Sequence, residues 1–342
     1  MSAGQSPLIS VIVVNWNRCA LLRACLQSLK RQAGASLEVI VVDNGSQDGS
    51  VEMAAREFSG FVRLICNTEN RGFCAANNQG IRAARGAFIA LLNNDAEAEP
   101  CWLSALQGAF AAGPEIGMAA SKIVMYEDPG RIDKAGHLIY PDGQNRGRGT
   151  GEPDDGRYDR PEEVLWPDGC AAMYRKQMLD QIGGFDEDFF AYGDDAELGL
   201  RARIAGWRCL YVPGAVVRHH RGSTLGLASS RRVELIERNR VLLALKHFPW
   251  SLLWLNGFYY AARLAHGAWS SAHGAGETAR FQGIGGKLRL AGALLSGDLQ
   301  ALGMVPRMLR KRREMRKLSK LTPRQVRALV LSNRISLSEL TR

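Results

Sequence analysis

Asn93, Asn94 and Asp95 close the apolar run Phe88-Ile89-Ala90-Leu91-Leu92 with three short side chains, each offering an oxygen. Such a cluster suits a hard divalent cation, which takes oxygen ligands and commonly shares them with the phosphates of a substrate. Two other apolar runs end alike: residues 8–14 stop at Asn15, and residues 37–42 stop at Asp43. Further on, Asp194 and Asp195 stand together, and either carboxylate could act as a general base. His219 and His220 end an extended stretch, and imidazole can bind a divalent metal.

Each of these residues also has a plainer use. Asx residues start turns, carboxylates cap helices and complement the helix dipole, and a lone histidine is more often structural than a ligand. Repetition is what favours chemistry, because three separate strands end in acceptor-rich residues.

The elements that must position these groups read as alternating strand and helix. "LISVIVV" (8–14) is a continuous β-branched run, as expected of a strand buried on both faces. Asn17 is expected to cap a helix with the stripe Leu21, Leu22, Cys25 and Leu29. "LEVIVVD" (37–43) is a second strand, followed by the turn cluster "NGSQDGS" and a short helix from about Val51. "FVRLIC" (61–66) is a third strand, "GFCAANNQGIRAARG" a helix stopped at Gly86, and "AFIALL" a fourth strand. This rhythm implies an α/β fold with an open, mostly parallel, doubly wound sheet. In such sheets ligands bind beyond the carboxyl ends of the strands, so Asn15, Asp43 and Asn93–Asp95 share one edge. Glycine-rich phosphate loops are absent from the sequence, so a diphosphate there would need a cation, for which Asp95 is well placed.

In the second half "AAMYR" reads as a strand and "RKQMLDQIGG" as a short helix. The aromatic and acidic "GFDEDFFAYGDD" then feeds a helix, "DAELGLRARIAG", stopped by Gly206. That places Asp194 and Asp195 at or beside its N-cap. "WRCLYVPGAVVRHH" reads as strand, turn and second extended segment.

Charge divides the chain. Residues 1–230 hold 23 Lys/Arg against 28 Asp/Glu, a net of −5, and residues 231–342 hold 21 against 6, a net of +15. The expected organisation is a catalytic domain over 1–230 and a basic amphipathic helical region over 231–342. A basic tail fits an anionic membrane surface or nucleic acid. Few aromatic residues accompany the basic residues after position 282, and the candidate site lies in the acidic segment, which speaks against nucleic acid. The seven cysteines are scattered without metal-type spacing and read as reduced core residues of a cytosolic protein. "MSAGQSPLIS" shows no secretory pattern.

The ordered set "VIVVNWNR", "VVDNGSQDGS", "NRGFCAANNQGIRAARG", "ALLNNDAEAEP", "GCAAMYRKQMLDQIGGFDEDFFAYGDDAELGLR" and "AVVRHHRGS" resembles the bacterial family-2 glycosyltransferases of the GT-A fold, especially the rhamnosyltransferase-like branch. The resemblance covers roughly residues 8–225. It implies that Asn15 and Asp43 hold a nucleotide base, that Asn77 faces the nucleotide, and that Asn94 lies beside sugar and diphosphate. It implies metal ligation of Mg2+ or Mn2+ by Asp95 and His219, and Asp195 as catalytic base with Asp194 in place of the usual glutamate. Asn93 stands where the family has the first aspartate of its metal motif, which removes one anionic ligand. "GDDAE" stands for the more usual Glu-Asp motif. The resemblance further implies an inverting transfer from a nucleotide-diphospho-sugar, dTDP-rhamnose or a UDP-sugar, to a saccharide or lipid-linked saccharide. Two alternatives are an inactive GT-A-fold binding protein and a nucleotidyltransferase. A nucleotidyltransferase would be expected to carry a glycine- and lysine-rich loop where this chain has "NWNRCALL".

The tail "RRVELIERNRVLLALKHFPWSLLWLNGFYYAARL" reads as two helices separated near Pro249. Its longest apolar part, about Phe248 to Ala262, is shorter than the roughly 20 residues a spanning helix needs. Peripheral attachment to the inner face of the cytoplasmic membrane is the expectation, aided by basic pieces such as "RMLRKRREMRKLSK".

Overall fold

A computed structural model describes residues 8–221, 229–273 and 281–341; "MSAGQSP" and the Gly222–Ser223 end of the last resemblance string lie outside them. The chain forms two compact units. The first is Met1–His137, Gly147–Phe190 and Trp207–Arg221, and the second is Leu138–Arg146, Ala191–Gly206 and Gly222–Arg342.

The first unit begins with the expected alternation: β1 (Ile9–Asn15), α1 (Cys19–Lys30), β2 (Leu37–Asp43), α2 (Ser50–Glu57), β3 (Val62–Cys66), α3 (Gly72–Ala83) and β4 (Phe88–Leu92). After it come β5 (Ala96–Ala98), α4 (Trp102–Ala109), β6 (Ile116–Met125) and β7 (Ile132–Lys134). The short strands β8 (His137–Ile139) and β9 (Asn145–Gly147) form a separate two-stranded sheet. Then follow β10 (Glu162–Val164), β11 (Ala171–Arg175), α5 (Lys176–Ile182), α6 (Asp194–Ile204, in the second unit) and β12 (Arg208–His219).

The main sheet has the order β10-β12-β6-β11-β4-β1-β2-β3, with β5 on β12 and β7 on β6. β3, β2, β1 and β4 pair in parallel. β11 lies antiparallel to both β4 and β6, so β6 and its parallel neighbour β12 run the same way as β1 to β4. Six strands therefore end at one edge, a mixed but mostly parallel sheet. Its β-branched runs are buried because the α1 stripe of Leu22, Cys25, Leu26 and Leu29 packs on one face with Val11, Val13, Val39 and Val41.

Three local expectations change. Asn17 does not cap α1: its backbone has φ +48°, its Oδ1 accepts from the Gln47 amide, and the Cys19 amide is satisfied instead by Asp48 Oδ2 at 2.8 Å. Gly86 is not the stop of α3, since the chain already leaves the helix at Ala84 in an extended conformation. Gly86 permits a close approach, because a Cβ there would stand 2.6 Å from the Leu8 carbonyl oxygen. "WRCLYVPGAVV" is not two segments but one strand, β12, which keeps pairing with β6 across a bulge between Val212 and Val216.

The second unit contains α6, then α7 (Ser230–His247), α8 (Trp250–Ala272), α9 (Gly283–Gly303), α10 (Val305–Arg316), α11 (Pro323–Ser332) and α12 (Leu337–Leu340). Pro249 separates α7 from α8 as expected; lacking an amide proton, it is tolerated at the start of α8. Among the described residues no helix is long and apolar enough to cross a membrane.

Candidate active site

At the shared strand edge of the first unit, the polar strand ends are laced together. Asn15 and Asp43 are register partners. Asn15 Nδ2 donates to Asp43 Oδ2 at 2.9 Å and to Ser46 Oγ at 3.1 Å. Asn94 Nδ2 donates to Asn15 Oδ1 at 2.7 Å. Asp43 also accepts from the Ser46 amide and hydroxyl. The net joins the ends of β1, β2 and β4, and all three of Asn15, Asp43 and Asn94 are buried. Asn15 spends both amide protons and its carbonyl within it, so it braces Asp43 and Asn94. Asn77 is buried on α3, where its amide donates to the Phe73 carbonyl one turn back. Its neighbour Asn78 ties the Phe185 backbone and Glu187 to that helix.

Asp95 lies between β4 and β5 and His219 ends β12, and the pairing of β5 with β12 brings them together. His219 pairs with Ala96 across β12 and β5, and the His220 amide donates to the Asp95 carbonyl. His219 Nε2 lies 3.4 Å from Asp95 Oδ1, an oxygen that is buried without a hydrogen-bond partner. The other ring nitrogen, Nδ1, is 2.7 Å from Oδ2 of the fully buried Asp133, whose Oδ1 is 2.9 Å from Arg221 Nε. Burial opposes a charged imidazole, but Cys170, Asp133 and Asp95 outweigh it and hold the His219 pKa well above the ordinary value. Nε2 could hold a cation only after giving up its proton, so metal binding here would release it. Burial also opposes ionisation of Asp133, yet Lys134, His219 and Arg221 hold its pKa low. His220 is turned elsewhere: its ring stacks on Tyr126, centroids 3.5 Å apart, and Nδ1 lies 3.7 Å from Glu127. Asn93 contributes backbone to this region, its amide donating to the Cys170 carbonyl.

The residues fit a divalent cation. A carboxylate oxygen lacks a hydrogen-bond partner, an imidazole nitrogen stands beside it, and the far side of the ring is tied to a second carboxylate. That last arrangement fixes the tautomer and ring orientation of metal-binding histidines. The sequence reading missed Asp133, which lies in a three-residue strand and carries no motif. It also missed the adjoining Asp168, which takes Lys134 Nζ at 2.7 Å and His137 Nε2 at 2.8 Å.

In the second unit, Gly193 is the N-cap of α6 and Asp194 and Asp195 are its first two residues. Asp194 is buried and Asp195 half-buried. Asp195 Oδ1 accepts from the Ala196 amide at 2.7 Å. The preceding loop is held by Asn239, whose amide donates to the carbonyls of Ala191 and Tyr192. Behind the two aspartates, fully buried Glu197 takes Arg201 Nη2 at 2.6 Å, Lys246 Nζ at 2.7 Å and His247 Nε2 at 2.9 Å. A second buried set joins Glu237 and Asp142 to Arg240 and Arg263.

Residues 10–183 match the Glycosyl transferase family 2 domain, and residues 159–275 match Glycosyl transferase family group 2. The chain belongs to glycosyl transferase family 2. It is 27% identical over 269 residues to the N-acetylglucosaminyl-diphospho-decaprenol L-rhamnosyltransferase of Mycobacterium tuberculosis, covering 72% of this chain and 87% of that one. It is 29% identical over 243 residues to the uncharacterized protein y4gI of Sinorhizobium fredii, covering 65% of this chain but only 25% of that longer one. Its fold is similar to that of GalNAc-T7, solved with UDP, GalNAc and Mn2+, at a TM-score of 0.55 and 16% identity over 70% of this chain and 48% of that chain. It is also similar to the mannosyltransferase PcManGT of Pyrobaculum calidifontis, solved with GDP-Man and Mn2+, at a TM-score of 0.50 and 19% identity over 96% and 88% of the two chains. The fold is thus GT-A-like, and the protein is a glycosyltransferase by family.

Proposed function

We propose that the protein is an inverting glycosyltransferase. It would move a sugar from a nucleotide-diphospho-sugar, dTDP-rhamnose or a UDP-sugar, to a saccharide or lipid-linked saccharide in cell-surface polysaccharide assembly. Residues 1–230 would carry the chemistry. Residues 231–342 would attach it to the anionic inner face of the cytoplasmic membrane. The observation that carries the reading is the buried Asp95 Oδ1, which makes no close hydrogen bond and faces His219 Nε2 at 3.4 Å.

In this reading Asp43, braced by Asn15, and Asn77 receive the nucleotide, and Asn94 stands beside sugar and diphosphate. Asp95 and His219 would hold Mg2+ or Mn2+, which when bound offsets negative charge on the leaving diphosphate. Asp195 takes the proton from the acceptor hydroxyl as that oxygen attacks the anomeric carbon from the face opposite the diphosphate. One displacement inverts the centre. The amide net around Asn15 would hold these strand ends together during the step.

The test is a panel of nucleotide-sugars scored by thermal stabilisation with and without Mn2+, since a ligand raises stability according to its occupancy. One or more should stabilise the protein in an Mn2+-dependent way, and Asp95→Asn should abolish that dependence while the fold survives. With an acceptor, Asp195→Asn should retain donor binding and lose turnover by at least about a hundredfold, the usual scale for a general base. Asp194→Asn should cost less. Normal turnover by both aspartate variants would remove the base from this motif.

A further inference from the structure

We infer that the exposed faces of α8 and α9 form a membrane-docking surface that inserts aromatic and aliphatic side chains into an anionic bilayer. This rests on the peripheral attachment proposed above and names the face and the mode. Among the described residues, all the exposed large hydrophobic side chains lie on these two helices. On α8, Trp254 is 85% exposed, and Phe258 and Trp269 are more than half exposed. On α9, Ile284 is 82% exposed, with Leu288 and Leu295 also more than half exposed. Helical spacing puts each set on one side of its helix.

The opposite sides of both helices are already committed. Asn256, Tyr260 and Arg263 of α8 bond to Asp142, Asp298 and Glu237. Gly297 of α9 sits so near α7 that a Cβ there would lie 2.6 Å from the Glu234 carbonyl oxygen. The apolar faces are therefore not displaced packing surfaces; each helix buries its other side.

Charge selects the occupant. With Arg263 already paired to Asp142 and Glu237, the helices α8 to α10 carry eight further Lys/Arg (Lys287, Arg289, Arg307, Arg310, Lys311, Arg312, Arg313 and Arg316) against two acids, Asp298 and Glu314. Asp298 is already engaged by Tyr260 and Arg240. Two copies meeting through this face would bring like charges together, whereas anionic headgroups would neutralise them. Tryptophan is suited to the bilayer interface, with an apolar ring and one polar N–H.

The test uses the full chain with phosphatidylcholine vesicles, with and without phosphatidylglycerol, at low and high salt. Wild type should bind the anionic vesicles and keep a salt-resistant fraction. Brominated acyl chains should quench emission that Trp254→Phe no longer shows. Trp254→Ser/Phe258→Ser should bind more than about tenfold more weakly, because the burial of such side chains supplies the affinity. Arg310→Ser/Arg313→Ser should mainly shift the salt dependence. If the serine pair binds like wild type and salt releases both, insertion is wrong although peripheral attachment stands. If wild type binds neither vesicle, both readings fall together, while nucleotide-sugar binding still reports on the catalytic reading. If the apolar substitutions instead convert a dimer to a monomer in sedimentation, the face is an interface between copies and the inference is overturned.

Discussion

Two buried carboxylates, Glu197 in one unit and Asp95 in the other, are treated in opposite ways. Around Glu197, three cationic or imidazole groups saturate one carboxylate, and burial raises no unmet demand. At Asp95 a buried carboxylate oxygen lacks a hydrogen-bond partner, while the ring beside it is braced from behind. The first arrangement is what a scaffold needs; the second leaves a position for something that arrives. Buried polar atoms are nearly always partnered, so this oxygen, with only the His219 ring at 3.4 Å, is the one the proposed reading gives to a cation.

The sharpest way to break that contrast is to cut the saturated cluster. Glu197→Ala leaves Arg201, Lys246 and His247 buried around no carboxylate, and should destabilise the protein by roughly 3–5 kcal/mol in denaturant titrations. If the loss is under about 1 kcal/mol, the cluster is not the scaffold described here.

A pH titration of stability tests the same cluster more gently. Burial presses the His247 imidazole down to about 4, despite the pull of Glu197, from an ordinary 6.5. Between those values the unfolded chain binds more protons than the folded one. Stability therefore rises with pH across that window and is lost as pH falls from about 6.5 towards about 4. The loss due to this residue should be roughly 3 kcal/mol. His247→Gln should flatten the curve there, and an unchanged curve would show that His247 titrates normally.

The smallest effect belongs to the brace. Asp133→Asn keeps the shape but removes the charge behind His219, and should weaken Mn2+ binding about 10- to 100-fold in calorimetry, the usual scale for such outer partners. The nucleotide-sugar affinity measured without metal should stay the same. Equal metal affinity in wild type and variant would leave Asp133 a structural acid only.

What was legible in the sequence follows from what is local. β2 was visible because the apolar run Val39-Ile40-Val41-Val42 leads straight into Asp43 and a turn cluster. Direction of chain was enough to gather Asn15, Asp43 and Asn94 at one edge, and the hydrogen bonds among them follow. Asp133 was invisible because its partner lies 86 residues away and its own strand is three residues long. Glu237 and Arg240 stand i,i+3 on a helix of the basic region, and only tertiary packing shows them buried. Asn17 misled because an Asx residue before a helical stripe suits a cap, but Asp48 from the neighbouring loop reached the amide first. Pro213-Gly214 misled in the same way, as a turn signal inside a strand held by its neighbour.

That bulge also keeps the frame of everything after it. Leu210 and Val212 pack on the core before it, and Ala215 and Val217 after it, so facing changes from even to odd positions. His219 inherits the odd side. Because facing alternates residue by residue, length changes here act like frameshifts. Removing one residue from 213–215 would slide His220 into the slot of His219 and still deliver an imidazole. Adding one would deliver Arg218, a fixed cation, beside Asp95. The histidine doublet therefore tolerates a slip in one direction only: a one-residue deletion that the bulge does not absorb keeps an imidazole beside Asp95, and a one-residue insertion does not.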